Sequence, residues 1–142
     1  MRLSLSRRYS FAASHRLHRS NLSEEENRRI YGKCSNPYGH GHNYVVEVTV
    51  TGPMDPSTGM VANLGELDPF VEKQVLDVFD HKYLNEEVTP FREVVPTAEN
   101  LCMEIFRRLA QFPAARLERI RVEETGLNSF EYCGEPAGAS QP

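Results

Sequence analysis

The sequence contains no tryptophan and only three cysteines, and no apolar run in it approaches the roughly 20 residues that a membrane-spanning helix needs. A helical membrane anchor is not expected. Three cysteines, scattered at positions 34, 102 and 133, do not make a disulfide framework, so each thiol needs its own explanation and the default is reduced. The N-terminal stretch MRLSLSRRYSFAASHRL is basic but alternates polar and apolar residues, without the continuous apolar segment of a secretory signal. The expected location is the cytoplasm. A nucleic-acid signature is also missing. Residues 1–33 hold eight Lys or Arg against three Glu, but the whole chain has a net charge of −4 and no stacking aromatics interleave with the cations. That local excess suits an anionic small molecule or a solvated face.

What is present fits one globular domain: 142 residues, 39% hydrophobic and 25% charged, with no repeats and no linker. Residues 1–134 are expected to form it, with 135–142 as a disordered tail. From Leu3 to His15 the odd positions, Arg7 excepted, are apolar, aromatic or His, which predicts a half-buried strand. Residues 19–39 mix charge with Ser, Asn, Gly and Pro and read as a long excursion with one helical turn around Ser23 to Arg29. Alternation resumes at His40 and runs to Val50, predicting a second strand antiparallel to the first. A helix is predicted from Asn63 to about Asp80, and another from an N-cap at Thr97 to a stop at Pro113. Strands over Leu117 to Glu124 and Ser129 to Cys133 follow, joined by a tight turn. This ββααββ order predicts an α+β fold, an antiparallel sheet with both helices on one face.

His40 and His42 lie two apart at a strand start, so both imidazoles point to one side. His15 closes the first strand on its apolar parity and reaches the same ion if the two strands pair. Three neutral imidazoles suit zinc and leave a fourth tetrahedral position open, as catalytic sites do. A lone histidine at a strand end is commonly a packing or surface residue, so the reading leans on the His-Gly-His step and leaves His18 out.

Cys34 precedes His40 in a loop of Gly, Asn and Pro, where a nearby zinc and Lys33 would lower its pKa toward the thiolate. Two roles stay open for it: fourth ligand of a closed structural site, or proton-moving base beside an open one. Cys102, in the second helix, and Cys133, in the last strand, read as packing residues. Asp80-His81 either poises an imidazole for proton exchange with a thiol or simply ends a helix. Glu124 shares parity with Ile120 and Val122, whereas Glu123 sides with Arg119 and Arg121. An inward carboxylate needs a partner: a ligand with two adjacent N–H donors, such as a pterin or guanine edge, or an internal salt bridge.

Six segments, FAASHRL (11–17), CSNPYGHGHNY (34–44), DPSTGMVANLGEL (55–67), DHKYLN (80–85), PTAEN (96–100) and EET (123–125), together resemble the 6-pyruvoyltetrahydropterin synthase family over about residues 7–135. The resemblance implies that His15, His40 and His42 hold Zn2+, that Cys34 is the catalytic base, and that Asp80 and His81 complete its proton relay. It also implies that Glu124 anchors the pterin and that Thr97, Ala98 and Glu99 line its pocket. The implied fold is the tunnelling fold, in which ββααββ subunits close a barrel by oligomerisation, commonly a homohexamer of two trimers with active sites between subunits. The implied reaction is a lyase step on 7,8-dihydroneopterin triphosphate that eliminates triphosphate, with no nucleic acid or membrane as partner. Arg16, Arg19 and Lys33 are the candidate triphosphate contacts. Members of the 6-carboxytetrahydropterin synthase type use the same substrate and metal but typically place three residues between the cysteine and the first histidine of the pair; here there are five, the pyruvoyl-type spacing. From another functional class, a non-catalytic pterin-binding zinc module would need Cys34 on the metal.

Overall fold

The alternation in the first residues becomes strand β1 (Leu3–His15), and β2 (His40–Gly52) pairs with it antiparallel along its whole length, from Leu3↔Gly52 to His15↔His40. A computed structural model describes residues 2–136; of the expected tail, 137–142 lie outside the described residues. Strand β3 (Lys82–Tyr83) lies parallel to β1 at Ala13 and Ser14, while β4 (Arg116–Thr125) pairs with β2 and β5 (Asn128–Tyr132) with β4. The sheet order is β3-β1-β2-β4-β5. The four expected strands are all present, and the two-residue β3 is an addition that a period-of-two pattern cannot reveal.

The helices are α1 (Glu24–Tyr31), α2 (Leu64–Val71), α3 (Asp77–Phe79), α4 (Leu84–Glu87) and α5 (Ala98–Leu109). The helix expected from Asn63 to Asp80 comprises α2 and α3 with a π-helical stretch, Glu72–Leu76, between them. Leu67, Val71, Val75 and Phe79 are all buried at strict four-residue spacing. On an α-helix each such step drifts by about 40°, and the wider π winding takes up that drift so that all four keep facing the sheet. They meet Phe11, Tyr44, Val46, Val48, Ile120 and Val122 from the strands and Leu101, Ile105 and Leu109 from α5 in one core. As expected, the long helices cover one face of the sheet.

The 19–39 excursion is more ordered than one helical turn. Ser23 caps α1 by accepting from Glu26 N at 3.0 Å, and the buried Asn27 ties the loop together, its Nδ2 donating to the Arg19, Leu22 and Ser23 carbonyls. Register shifts at Glu118 and Glu124 bend β4. The first lets Leu117 and Ile120 both face the core although their parity differs, and the second falls on the residue expected to meet a ligand.

Gly39 fixes how the excursion enters β2. Its φ is +71°, and a Cβ there would stand 2.9 Å from the His15 carbonyl oxygen. Gly39→Ala should therefore destabilise the protein by about 1–3 kcal/mol, the cost of a strained backbone conformation. Thermal unfolding of the variant checks this, and an unchanged midpoint would show that the loop relaxes freely.

Candidate metal centre

The register that pairs His15 with His40 also sets Ala13 opposite His42, so three imidazoles crowd one end of the sheet on its helix-covered face. His15 is fully buried, and His40 and His42 are half-buried, which leaves the outer side of the cluster accessible. The ring centroids stand 4.7, 5.0 and 4.7 Å apart, all pairs edge-on, and one ligand atom from each ring lies within 4.8 Å of the others.

His15 Nδ1 is 2.8 Å from the Pro96 carbonyl oxygen, an acceptor only, so the ring proton sits on Nδ1 and Nε2 presents its lone pair. That Nε2 stands 3.1 Å from His40 Nε2. Two nitrogens bound at about 2.0–2.1 Å to one tetrahedral zinc stand roughly 3.3 Å apart, so the spacing fits a shared ion. His42 Nε2 is buried with no hydrogen-bond partner among the described residues, as a ligand nitrogen would be. The donor set fits zinc, and the Pro96 carbonyl supplies the outer hydrogen bond that fixes a ligand's tautomer.

Burial depresses the His15 pKa to about 4, with the Pro96 hydrogen bond working the other way and His40 and His42 adding to the depression. Burial and then His42 lower that of His40. Both rings are thus held neutral, the form a metal requires.

Cys34 is half-buried in the 3-10 turn Gly32–Ser35, pinned by Leu17 N donating to its carbonyl at 2.8 Å and by Arg16 Nε donating to the Ser35 carbonyl at 3.0 Å. Its sulfur is not among the converging donor atoms. Contrary to the expectation that Lys33 lowers its pKa, burial and then the Glu124 carboxylate raise the thiol above its usual value. Glu124 is half-buried and makes no ion pair among the described residues, so the salt-bridge alternative fails, while Glu123 lies 3.5 Å from Arg121. Burial is the main cause raising the Glu124 pKa; His42 opposes it and Glu99 adds to it.

Thr97 caps α5, accepting from Asn100 N at 3.2 Å, and is followed by buried Ala98 and exposed Glu99. The segment is thus bound to the cluster at Pro96, and Glu99 adds to the raised pKa of Glu124.

Asp80 and His81 stand apart from this group. Asp80 Oδ1 accepts from Ala12 N at 3.0 Å and lies 2.9 Å from His81 Nδ1, and His81 N donates to the Ala12 carbonyl. The Ala12 N–H first, and then His81, hold the Asp80 carboxyl below its usual range. His81 has a left-handed backbone, φ +60°, and its side chain is 82% exposed at the outer edge of β1.

His18 pairs with Glu24 at 3.3 Å, outside the metal group. Arg16 and Arg19 line a cavity of about 420 Å³ together with Arg92, whereas Lys33 lines a different one with Arg28, so the three expected triphosphate contacts do not converge within one chain. Cys102 is buried and donates to the Ile120 carbonyl, as a packing residue; Cys133 lies beyond β5 and is exposed, a correction to its reading as a packing residue in the last strand. The Pro96 carbonyl and Tyr44, both against His15, were missed because neither residue type signals a metal site.

An α+β sheet covered by helices on one face, with a three-histidine group able to hold a metal at its end, defines the class of protein. The family model described as 6-pyruvoyl tetrahydropterin synthase matches residues 4–135, and the chain belongs to that family. It is 50% identical over 132 residues to 6-pyruvoyl tetrahydrobiopterin synthase of Poecilia reticulata, covering 92% of this chain and 90% of the relative. With the enzyme of the same name from Homo sapiens it is 48% identical over 132 residues, 92% of this chain and 91% of the relative. The structure of Caenorhabditis elegans 6-pyruvoyl tetrahydropterin synthase matches with a TM-score of 0.90 at 39% identity, covering 95% of this chain and 97% of that one. Among the described residues no helix is long and apolar enough to cross a membrane.

The His15 shift gives a sign for acid stability. Folded His15 binds its proton only near pH 4, whereas the unfolded residue binds it near 6.5, so the unfolded state gains protons first as pH falls. Metal-free protein should be fully stabilised by this group above about pH 6.5 and lose roughly 3 kcal/mol between there and pH 4. Urea unfolding in chelator across that range, against a His15→Gln variant, measures it; equal slopes for the two proteins would contradict the burial argument.

Proposed function

We propose that this chain is a zinc-dependent lyase that converts 7,8-dihydroneopterin triphosphate to 6-pyruvoyltetrahydropterin with elimination of triphosphate. The observation that carries the reading is the convergence of three imidazole nitrogens within 4.8 Å of one another, one pair at 3.1 Å, with a half-buried thiol outside the donor set. Residues 1–134 act as one domain, in the cytoplasm.

When bound, zinc supplies Lewis acidity that makes the hydroxyls of the substrate side chain, and the C–H groups beside them, more acidic. Glu124 accepts from the two adjacent N–H donors of the pterin edge, hydrogen bonds that stabilise a carboxylate whose surroundings disfavour its charge. Thr97, Ala98 and Glu99 line the ring's pocket. Cys34 takes and returns side-chain protons while triphosphate leaves, and the ring gains the hydrogens that the side chain loses, so no redox cofactor is consumed. In the metal-free chain burial and Glu124 favour the protonated thiol, and the charge of a bound dication would favour the thiolate that a base needs.

Asp80 and His81 serve the Cys34 of a neighbouring copy. Their exposure at the edge of β1 supports this reading. So do the sheet's margins: among the described residues β1 pairs on its outer side with the two residues of β3, and β5 forms the other edge. Copies joined edge to edge close a barrel, and two trimeric barrels make the hexamer.

Incubating the zinc-loaded protein with dihydroneopterin triphosphate and identifying products by mass tests the reaction. The pyruvoyl product is expected, in keeping with five residues between Cys34 and His40. 6-Carboxytetrahydropterin with a two-carbon aldehyde would mean the carboxy-type reaction, and no turnover a binding module. Cys34→Ala should keep its zinc and lose at least about 100-fold in turnover, the range for a positioned acid–base group; full turnover would refute the base assignment.

A Cys34→Ala chain and a His81→Ala chain, each inactive alone, should regain activity when co-assembled. Random assortment of equal amounts makes about a quarter of the sites whole. No recovery on mixing would place both groups in one subunit.

A further inference from the structure

Tyr44 is fully buried beneath the metal group, its ring stacked on Phe11 with centroids 5.2 Å apart and standing 5.6 Å from His42 and 6.4 Å from His15. Its hydroxyl oxygen lies 3.3 Å from His15 Nδ1, the nitrogen that also faces the Pro96 carbonyl at 2.8 Å. Two groups therefore share one ring nitrogen. The carbonyl cannot donate, so Nδ1 carries the proton, and the longer contact makes the tyrosine oxygen the second acceptor of a three-centre bond. Were the proton on Nε2 instead, the tyrosine O–H could donate to Nδ1, but Pro96 would then set a carbonyl against a lone pair.

We propose that Tyr44 is a positioning residue for zinc: its hydroxyl, with the Pro96 carbonyl, clamps the His15 ring so that Nε2 points at the metal. This rests on the reading of the three histidines as zinc ligands. Among the described residues Tyr44 brings the only side chain to the back of the His15 ring, because the other partner is main chain. Tyr44 is placed to do this by strand parity, two residues beyond His42 on the same face of β2. Phe11 and the core hold its ring, so deleting the hydroxyl removes the clamp and leaves the packing.

Tyr44→Phe should bind zinc about 10-fold more weakly, the low end of the range for lost outer-shell partners, since the Pro96 carbonyl remains. Chelator competition measures the affinity, and the unfolding midpoint of the metal-free variant should match that of the parent. Long-range proton–nitrogen spectra of the metal-free proteins supply a second readout that packing alone would not move: His15 should be the Nδ1–H tautomer in the parent and a mixture in Tyr44→Phe. Equal zinc affinity and an unchanged tautomer would overturn the proposal. Should the variant fail to fold, a parent His15 carrying its proton on Nε2 would overturn it equally. A parent protein that binds no zinc would instead sink the metal reading beneath it.

Discussion

The antiparallel register between β1 and β2 is the constraint on which the rest depends. It places His15 directly across from His40, with His42 two pairs further along, at the end of a thirteen-residue ladder. A slip of one residue would turn every side chain of one strand to the opposite face and scatter the imidazoles. The core favours this register, because Phe11, Tyr44, Val46 and Val48 are buried together in it and a one-residue slip would turn one strand's set outward. Folding energy and ligand geometry are thus set by the same alternation.

Around the cluster, short connections bring distant segments to the same end of the sheet. The Leu17 N to Cys34 carbonyl bond returns the 19–39 excursion to the end of β1, and Gly39 lets the backbone pass within contact of His15. Pro96 reaches His15 from the start of α5. The electrostatics run one way: burial disfavours charge on His15, His40, Cys34 and Glu124 alike. A dication changes that balance, favouring neutral imidazoles as ligands and easing thiolate and carboxylate formation beside it.

Much of this was legible in the sequence because period-of-two patterns report faces directly. The parities of His15, His40 and His42 gave the cluster, and Thr97 was readable as a cap because its residue type and position are those of an N-cap. Less was legible where main-chain atoms or side-chain hubs do the work. Asn27 folds the excursion through carbonyls that any residue carries, and Pro96 acts through its own carbonyl. The π-helical stretch and the β4 register shifts adjust winding and parity without a residue signature. The part of the Cys34 expectation that rested on Lys33 erred because a neighbouring lysine in sequence is not a neighbouring charge in space, whereas Glu124, ninety residues on, is.

The central claim is that the three histidines bind zinc while Cys34 stands beside it, and the metal's own coordination shell reports this most directly. X-ray absorption at the zinc edge of the loaded protein should show three imidazole nitrogens and one oxygen at about 2.0–2.1 Å and no sulfur. A sulfur scatterer at about 2.3 Å would put Cys34 on the metal, close the site, and contradict the account.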